Sequence, residues 1–281
     1  MLKMVACELD ASHSMPAANK MMVGKDGNLM ISDKTPIMHF MQKKYFLEMI
    51  RTGNNTLMHV RKWKDVNEGV IYKSSVEVKN GNGIFQNSPN FFTQLYADYY
   101  GQCWSRSKSA SEILWLSRCS SKPGVCIKTT VEKLKKSISR VSNAPTFVKE
   151  MRYVSSLWLN SFLKRMRSPR FANSITGNFS NLAELLFMKR EEFSDEKEVR
   201  LLVVDPNNGQ FQKMQNPNCL KYRLDKTDFL TEVIFDPRMG CKSVSNLKKE
   251  VQSYGWTING QPIKMTKSPL YEPISGLIRI G

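Results

Sequence analysis

Glu196-Lys197-Glu198-Val199-Arg200-Leu201-Leu202-Val203-Val204 decides the fold. From Glu198 the residues are branched and aliphatic, the composition of a β-strand. Alternation along a strand puts Glu196, Glu198 and Arg200 on one face and Lys197, Val199 and Leu201 on the other. A Glu-x-Glu-x-Arg face is costly to bury unless it lines a site. An arginine two residues from a carboxylate keeps that carboxylate ionised and oriented. The competing reading is an exposed edge strand with screened ion pairs.

Outward from this strand, short elements of both kinds alternate irregularly. Lys43–Ile50 reads as a helix ended near Gly53, with Tyr45, Phe46, Met49 and Ile50 on one face. Thr56–Val60 reads as a strand, and Trp63–Glu68 as a polar loop with one aromatic anchor. Tyr99–Ser105 and Val125–Ile127 read as strands, and Ser111–Ser117 as a helix. Thr129-Thr130-Val131-Glu132 fits a capping box opening a helix with Val131, Leu134 and Ile138 inward. Leu182, Leu185 and Leu186 mark a further helix. Val233–Phe235 reads as a strand ending in Asp236-Pro237-Arg238. Val244, Leu247, Val251 and Tyr254 give a helix stopped by Gly255, and Ile258-Asn259-Gly260-Gln261 is a hairpin turn. The order predicts an α+β fold, a single mixed, mostly antiparallel sheet with flanking helices and a basic helical insertion at about 133–175. Residues 1–35, with an Asp26-Gly27 turn signal, form an N-terminal arm or hairpin, and 36–281 one domain. Neither a repeat nor a dividing linker is visible.

Length and composition suit a globular chain: 281 residues, 41% hydrophobic and 24% charged. The charge is unusual, with 42 Lys and Arg against 25 Asp and Glu, a net +17. Such a balance implies a polyanionic partner. The start of the sequence lacks a sustained apolar run, and no eighteen-residue apolar stretch occurs, so neither a secretory signal nor a membrane span is expected. Cys7, Cys103, Cys119, Cys126, Cys219 and Cys241 form no C-x-x-C pair. They read as reduced thiols of a cytoplasmic protein. His13, His39 and His59 lack ligand spacing, so no metal site is expected. Neither a P-loop nor a G-x-S-x-G elbow is present.

Residues 133–170 hold ten basic residues against the single acid Glu150, a local +9. Lys149, Arg152, Lys164, Arg165, Arg167 and Arg170 are the candidate nucleic-acid contacts. Phe147, Tyr153, Trp158, Phe162 and Phe171 interleave with them, and an aromatic ring can stack on a splayed base. The alternatives are a solvated helix face whose rings point inward, and an acidic protein partner such as an antitoxin or chaperone.

Several segments together resemble the bacterial domain of unknown function 2971 family, over about residues 36–272. They are Gly101-Gln102-Cys103-Trp104-Ser105 before Leu114-Trp115, Gly124–Leu134, Phe187–Phe193 followed by Glu196–Leu201, Val233–Arg238, and Ser268-Pro269-Leu270-Tyr271. That family name carries no activity. His39-Phe40, followed by Phe46-Leu47 and Met49-Ile50, is similar to the opening of ADP-ribosyltransferases that modify nucleic acids. Gly53-Asn54-Asn55 replaces the usual Gly-Leu, and Met41 stands where Thr or Ser often follows.

This second resemblance implies NAD as substrate, with His39 on the nicotinamide ribose and Glu198 or Glu196 as the catalytic carboxylate. His39, Phe40, Trp63, Trp104 and Arg200 are then the candidate NAD-binding residues. The expected function is a toxin or phage-defence effector transferring ADP-ribose to RNA or DNA. Two alternatives stay open: a metal-dependent nuclease built on Asp195, Glu196, Glu198 and Lys197 with Asp65, and a non-enzymatic nucleic-acid- or partner-binding protein.

Overall fold

The structure, a computed structural model, describes residues 31–63, 76–79, 82–88, 91–120, 122–140, 144–176, 179–205 and 218–273. Most of the expected N-terminal arm, and Asp65, Asn67 and Glu68 of the polar loop, lie outside the described residues.

In chain order the strands are β1 (Pro36–Gln42), β2 (Asn54–His59), β3 (Glu77–Lys79), β4 (Phe85–Asn87), β5 (Tyr99–Ser105), β6 (Gly124–Thr130), β7 (Thr146–Glu150), β8 (Arg152–Val154), β9 (Met188–Arg190), β10 (Glu198–Val204), β11 (Cys219–Arg223), β12 (Glu232–Phe235), β13 (Thr257–Ile258), β14 (Gln261–Pro262) and β15 (Lys264–Lys267). Nine of them make one sheet in the order β11-β2-β5-β1-β6-β12-β15, with β10 also on β5 and β7 on β10. Its ladders are antiparallel except the parallel β12–β15 pair. The fold is α+β, as the element order predicts.

β5 is the branch point of the sheet. One edge pairs with β10 along its whole length, Tyr99–Ser105 against Glu198–Val204. The other edge is shared. β2 pairs with Tyr100 and Gly101, and β1 meets β5 only at Met38–Ser105. Gln102, Cys103 and Trp104 therefore lie along the fork where β1 and β2 part.

Alternation along these strands feeds three hydrophobic clusters, one on the first face of the sheet and two on the reverse. Val199, Leu201 and Val203 of β10, with Ile37 and Met41 of β1, belong to the larger core. There they meet Phe46, Met49 and Ile50 of helix Lys43–Thr52, Val131, Leu134 and Ile138 of helix Val131–Ser139, and Val244, Leu247 and Val251 of helix Cys241–Ser253. The reverse face has two separate coverings. Helices Ser156–Met166, Pro169–Thr176 and Phe179–Leu185 lie over Leu202 and Val204. Helix Glu112–Cys119 lies over Met38 and Phe40 through Leu114 and Trp115.

Three details differ from the sequence reading. Tyr45 is exposed, because only Phe46, Met49 and Ile50 of its helix face inward. The cap of helix Val131–Ser139 is Thr130, whose side chain accepts from the Lys133 amide. The Glu132 amide instead donates to the Asp33 carbonyl, so the Thr129–Glu132 box does not form. The basic segment is also not wholly helical, since Thr146–Glu150 joins the sheet against β10.

Gly124 opens β6 where a side chain has no room. A Cβ there would stand 2.2 Å from Cys119 Sγ and 2.7 Å from the Met41 carbonyl oxygen. Gly124→Ala is expected to cost about 1–3 kcal/mol by overpacking, read from the denaturation midpoint. An unchanged midpoint would show that β6 and helix Glu112–Cys119 separate freely.

Candidate functional site

The seam between the two coverings of the reverse face holds a buried ion cluster. Glu198 and Arg200, two apart on β10, both have side chains at 0% exposure. Arg200 donates from Nε at 2.8 Å and Nη2 at 2.6 Å to Glu198 Oε1, and from Nη1 to the Leu186 carbonyl. Its guanidinium lies 4.2 Å from the centre of the Trp63 ring. Trp63 can lie there because Gly101 has no side chain: a Cβ would meet its Cζ2 at 2.6 Å.

Glu198 Oε2 takes two further cations, Arg118 Nη2 at 3.3 Å and Lys189 Nζ at 3.2 Å. The same two groups hold Glu196 Oε2 at 2.6 and 2.9 Å. Glu196 reaches them from the turn Glu191–Glu196 before β10, not from the strand as alternation predicted, because Lys197 is left-handed at φ 44° and offsets the register. Burial would raise the Glu198 carboxyl, but Arg200, Arg118 and Lys189 outweigh it and hold the group far below the usual carboxylate range. The Glu198 amide donates to the Tyr153 hydroxyl at 2.8 Å, and burial pushes that phenol up to about 12.

His39 sits at the fork on the opposite face, half-buried, its ring 5.1 Å from Trp104. Nδ1 lies 2.8 Å from the Cys103 carbonyl oxygen, where β1 and β5 no longer pair. A carbonyl can only accept, so Nδ1 carries the proton and Nε2 is the acceptor for Gln102 Nε2 at 3.3 Å. Burial lowers the His39 pKa to about 4, against the Cys103 hydrogen bond and with help from the Arg118 charge. Gln102 ties the fork together. Its amide also donates to Asn55 Oδ1 at 3.1 Å, and its oxygen accepts from Trp104 Nε1 at 3.1 Å and Tyr222 Oη at 2.8 Å.

His39 and Glu198 thus face opposite sides of the sheet, yet both converge on Cys103. One bonds its carbonyl, and the other is bonded by its side chain. Arg118 pairs with Glu198 and its charge reaches His39. Among the other expected NAD-binding residues, Trp104 joins His39 and Trp63 joins Arg200. Phe40 does neither, since it packs edge-on to Trp115 at 4.9 Å under helix Glu112–Cys119. Asp195 and Lys197 are exposed beside the cluster.

The basic candidates divide. Lys149 pairs with Glu184, and Arg152 lies 5.0 Å over Trp158. Lys164, Arg165, Arg167 and Arg170 are exposed and have no carboxylate partner among the described residues. The interleaved aromatics pack inward. Phe162 is buried, stacked on Trp158 at 5.3 Å and edge-on to Phe171 at 5.8 Å, and Phe147 and Tyr153 pack on the same core.

The sequence reading missed Arg118, Lys189, Asn55, Tyr222 and the part played by Gln102. Lys189 and Gln102 lie within the segments Phe187–Phe193 and Gly101–Ser105 that carry the family resemblance. Arg118 stood at the end of an expected helix, where a lone arginine gives no signal.

A family model described as "Protein of unknown function (DUF2971)" matches residues 114–201, so the resemblance to that family holds over that stretch. No curated protein matches the chain. Among solved structures, DarT from Thermus sp. 2.9 in complex with ADP-ribosylated ssDNA is 11% identical, with a TM-score of 0.36 over 84% of this chain and 95% of that one. The same protein in complex with NAD+ is 11% identical, with a TM-score of 0.37 over 85% and 97%. No helix among the described residues is long and apolar enough to cross a membrane.

Proposed function

We propose that this chain is an enzyme that transfers ADP-ribose from NAD to a nucleic acid. The observation that carries the reading is the arrangement around β5: on one edge the buried Glu198 carboxylate held by Arg200, Arg118 and Lys189, and on the forked edge His39 braced against the Cys103 carbonyl. His39 lies across β5 from Glu198 and braces that strand through the Cys103 carbonyl and Gln102, so it positions the strand and does not touch the sugar that Glu198 meets. Arg118 is the most exposed of the cationic Glu198 partners at 27%, and it is the one that a hydroxyl of the nicotinamide ribose displaces. The bond from the ribose anomeric carbon to nicotinamide then breaks with its electron pair passing to the pyridinium nitrogen, which becomes neutral. The Glu198 carboxylate stabilises the positive charge on the sugar. A base nitrogen or oxygen forms the new bond to that carbon and releases its proton to solvent.

The exposed cations of 164–170 supply the affinity for the polymer. The net +17 charge suits an acidic antitoxin-like restraint, and consumption of NAD with damage to nucleic acid suits a toxin or phage-defence effector in the cytoplasm. The nuclease alternative is poorly served, because the oxygens of Glu196 and Glu198 point at ammonium and guanidinium groups where a divalent cation would be repelled.

The test is incubation with NAD and separate panels of single-stranded DNA and RNA, read by mass. The expected result is one added ADP-ribose on a polymer, reduced about 100-fold or more in Glu198→Gln, as when a preorganised charge is removed. Magnesium-dependent scission with no mass gain would establish the nuclease instead.

A further inference from the structure

We infer that the corner Lys164–Arg170 is a backbone clamp, gripping phosphates of a polynucleotide several nucleotides from the reacting base and reading no bases itself; this rests on the nucleic-acid substrate proposed above. Two observations carry it. Four cations fall within seven residues, spanning the end of helix Ser156–Met166, the turn after it and the start of helix Pro169–Thr176. All four are exposed, and no carboxylate among the described residues neutralises them. The rings beside them are already occupied. Trp158 is covered by Arg152 on one partner contact and stacks on Phe162 on another, and Phe171 carries Arg165 at 4.9 Å. A surface with free charge and no free ring holds phosphates without sequence preference.

The corner also has a fixed reach. Tyr153 touches the Glu198 backbone, and Ser155 caps the helix that runs from there to Met166. Eleven residues of helix span roughly 16 Å. At the ~3.4 Å per strand of stacked nucleic acid, that is about five nucleotide steps. Substrates shorter than this engage the reacting site without the clamp.

The experiment compares wild type with the triple variant Lys164→Gln, Arg167→Gln, Arg170→Gln, using single-stranded homopolymers of thymidine, adenosine and cytidine at 3 and about 20 nucleotides. Fluorescence anisotropy is recorded over a salt series, and ADP-ribose transfer is followed by mass. Circular dichroism establishes that the variant is folded. The clamp predicts an equal loss of affinity on every long polymer, a salt slope shallower by about 2, and unchanged handling of the trimers. A loss confined to one base, or an unchanged slope, overturns it. Clamp-dependent binding with no transfer would leave the clamp standing and remove the ADP-ribosyl reading. Transfer that ignores the triple variant would do the reverse.

Discussion

Glu198→Gln unfolds more easily than wild type by about 3–5 kcal/mol, the range for breaking a buried ion pair from one side. The reason is the charge left behind. Lys189 and Arg118 would keep only Glu196, and Arg200, which has no solvent contact at all, would lose the carboxylate that its Nε and Nη2 bond. Glutamine keeps the shape and one acceptor oxygen but supplies no negative charge. The loss of activity expected from the same substitution could then be mere misfolding, and a second variant separates the two. Glu198→Gln with Lys189→Met removes one charge of each sign from the same contact, and Met occupies the volume of the lysine stem beside Phe193. Stability is expected to recover by more than half while ADP-ribose transfer stays absent. Recovery of both would make Glu198 a structural anion only. Denaturant midpoints at pH 7 and the mass assay read the two quantities independently.

The backbone elements nearest the site were legible because each is a local pattern. Glu198–Val204 and Tyr99–Ser105 are strands with the bounds their residues predict, and Gly53 and Gly255 end their helices at φ 71° and 74°. The Asn259-Gly260 turn forms with both residues at positive φ. What the pattern could not contain was pairing. That β5 gives one edge to β10 and divides the other between β2 and β1 depends on contacts between segments more than forty residues apart, and nothing in Gln102 or Cys103 announces a fork. For the same reason His39 and Glu198 could be named as candidates while their placement on opposite faces could not. Phe40 followed from adjacency to His39, and alternation along β1 turns adjacent residues apart. The aromatics of the basic segment misled in a different way. Their interleaving with lysine and arginine is what a stacking platform would show, but it is also what a helix with an apolar inner face shows. Only the burial of Phe162 and its ring contacts distinguish the two.

His39 makes the second large prediction, a loss of stability on mild acidification that belongs to one residue. Its folded pKa is about 4 against an ordinary 6.5. Below pH 6.5 the unfolded chain takes up a proton that the fold resists, so stability is complete above 6.5 and declines as pH falls toward 4. At about 1.4 kcal/mol per pH unit, the whole interval corresponds to about 3 kcal/mol, reduced by the partial exposure of the ring. The charge facing His39 across the sheet is Arg118, which opposes protonation. His59 is also depressed, by burial and by Arg61 and Lys62, and its contribution remains in the variant. Asp98 is raised by burial and by Asp205, so it works in the opposite sense in both proteins. Carboxylates held low, such as Asp225 at about 2, begin to lose their contribution below about pH 5, equally in both proteins, so it cancels in the comparison. The difference between wild type and His39→Gln over pH 6.5 to 4 therefore isolates this side chain. Wild type is expected to lose stability there more steeply, by a margin approaching 2–3 kcal/mol, while glutamine keeps an amide donor for the Cys103 carbonyl. Parallel curves from urea denaturation would mean that His39 protonates freely in the fold, and an imidazolium would then stand at the fork with no acceptor nitrogen for Gln102.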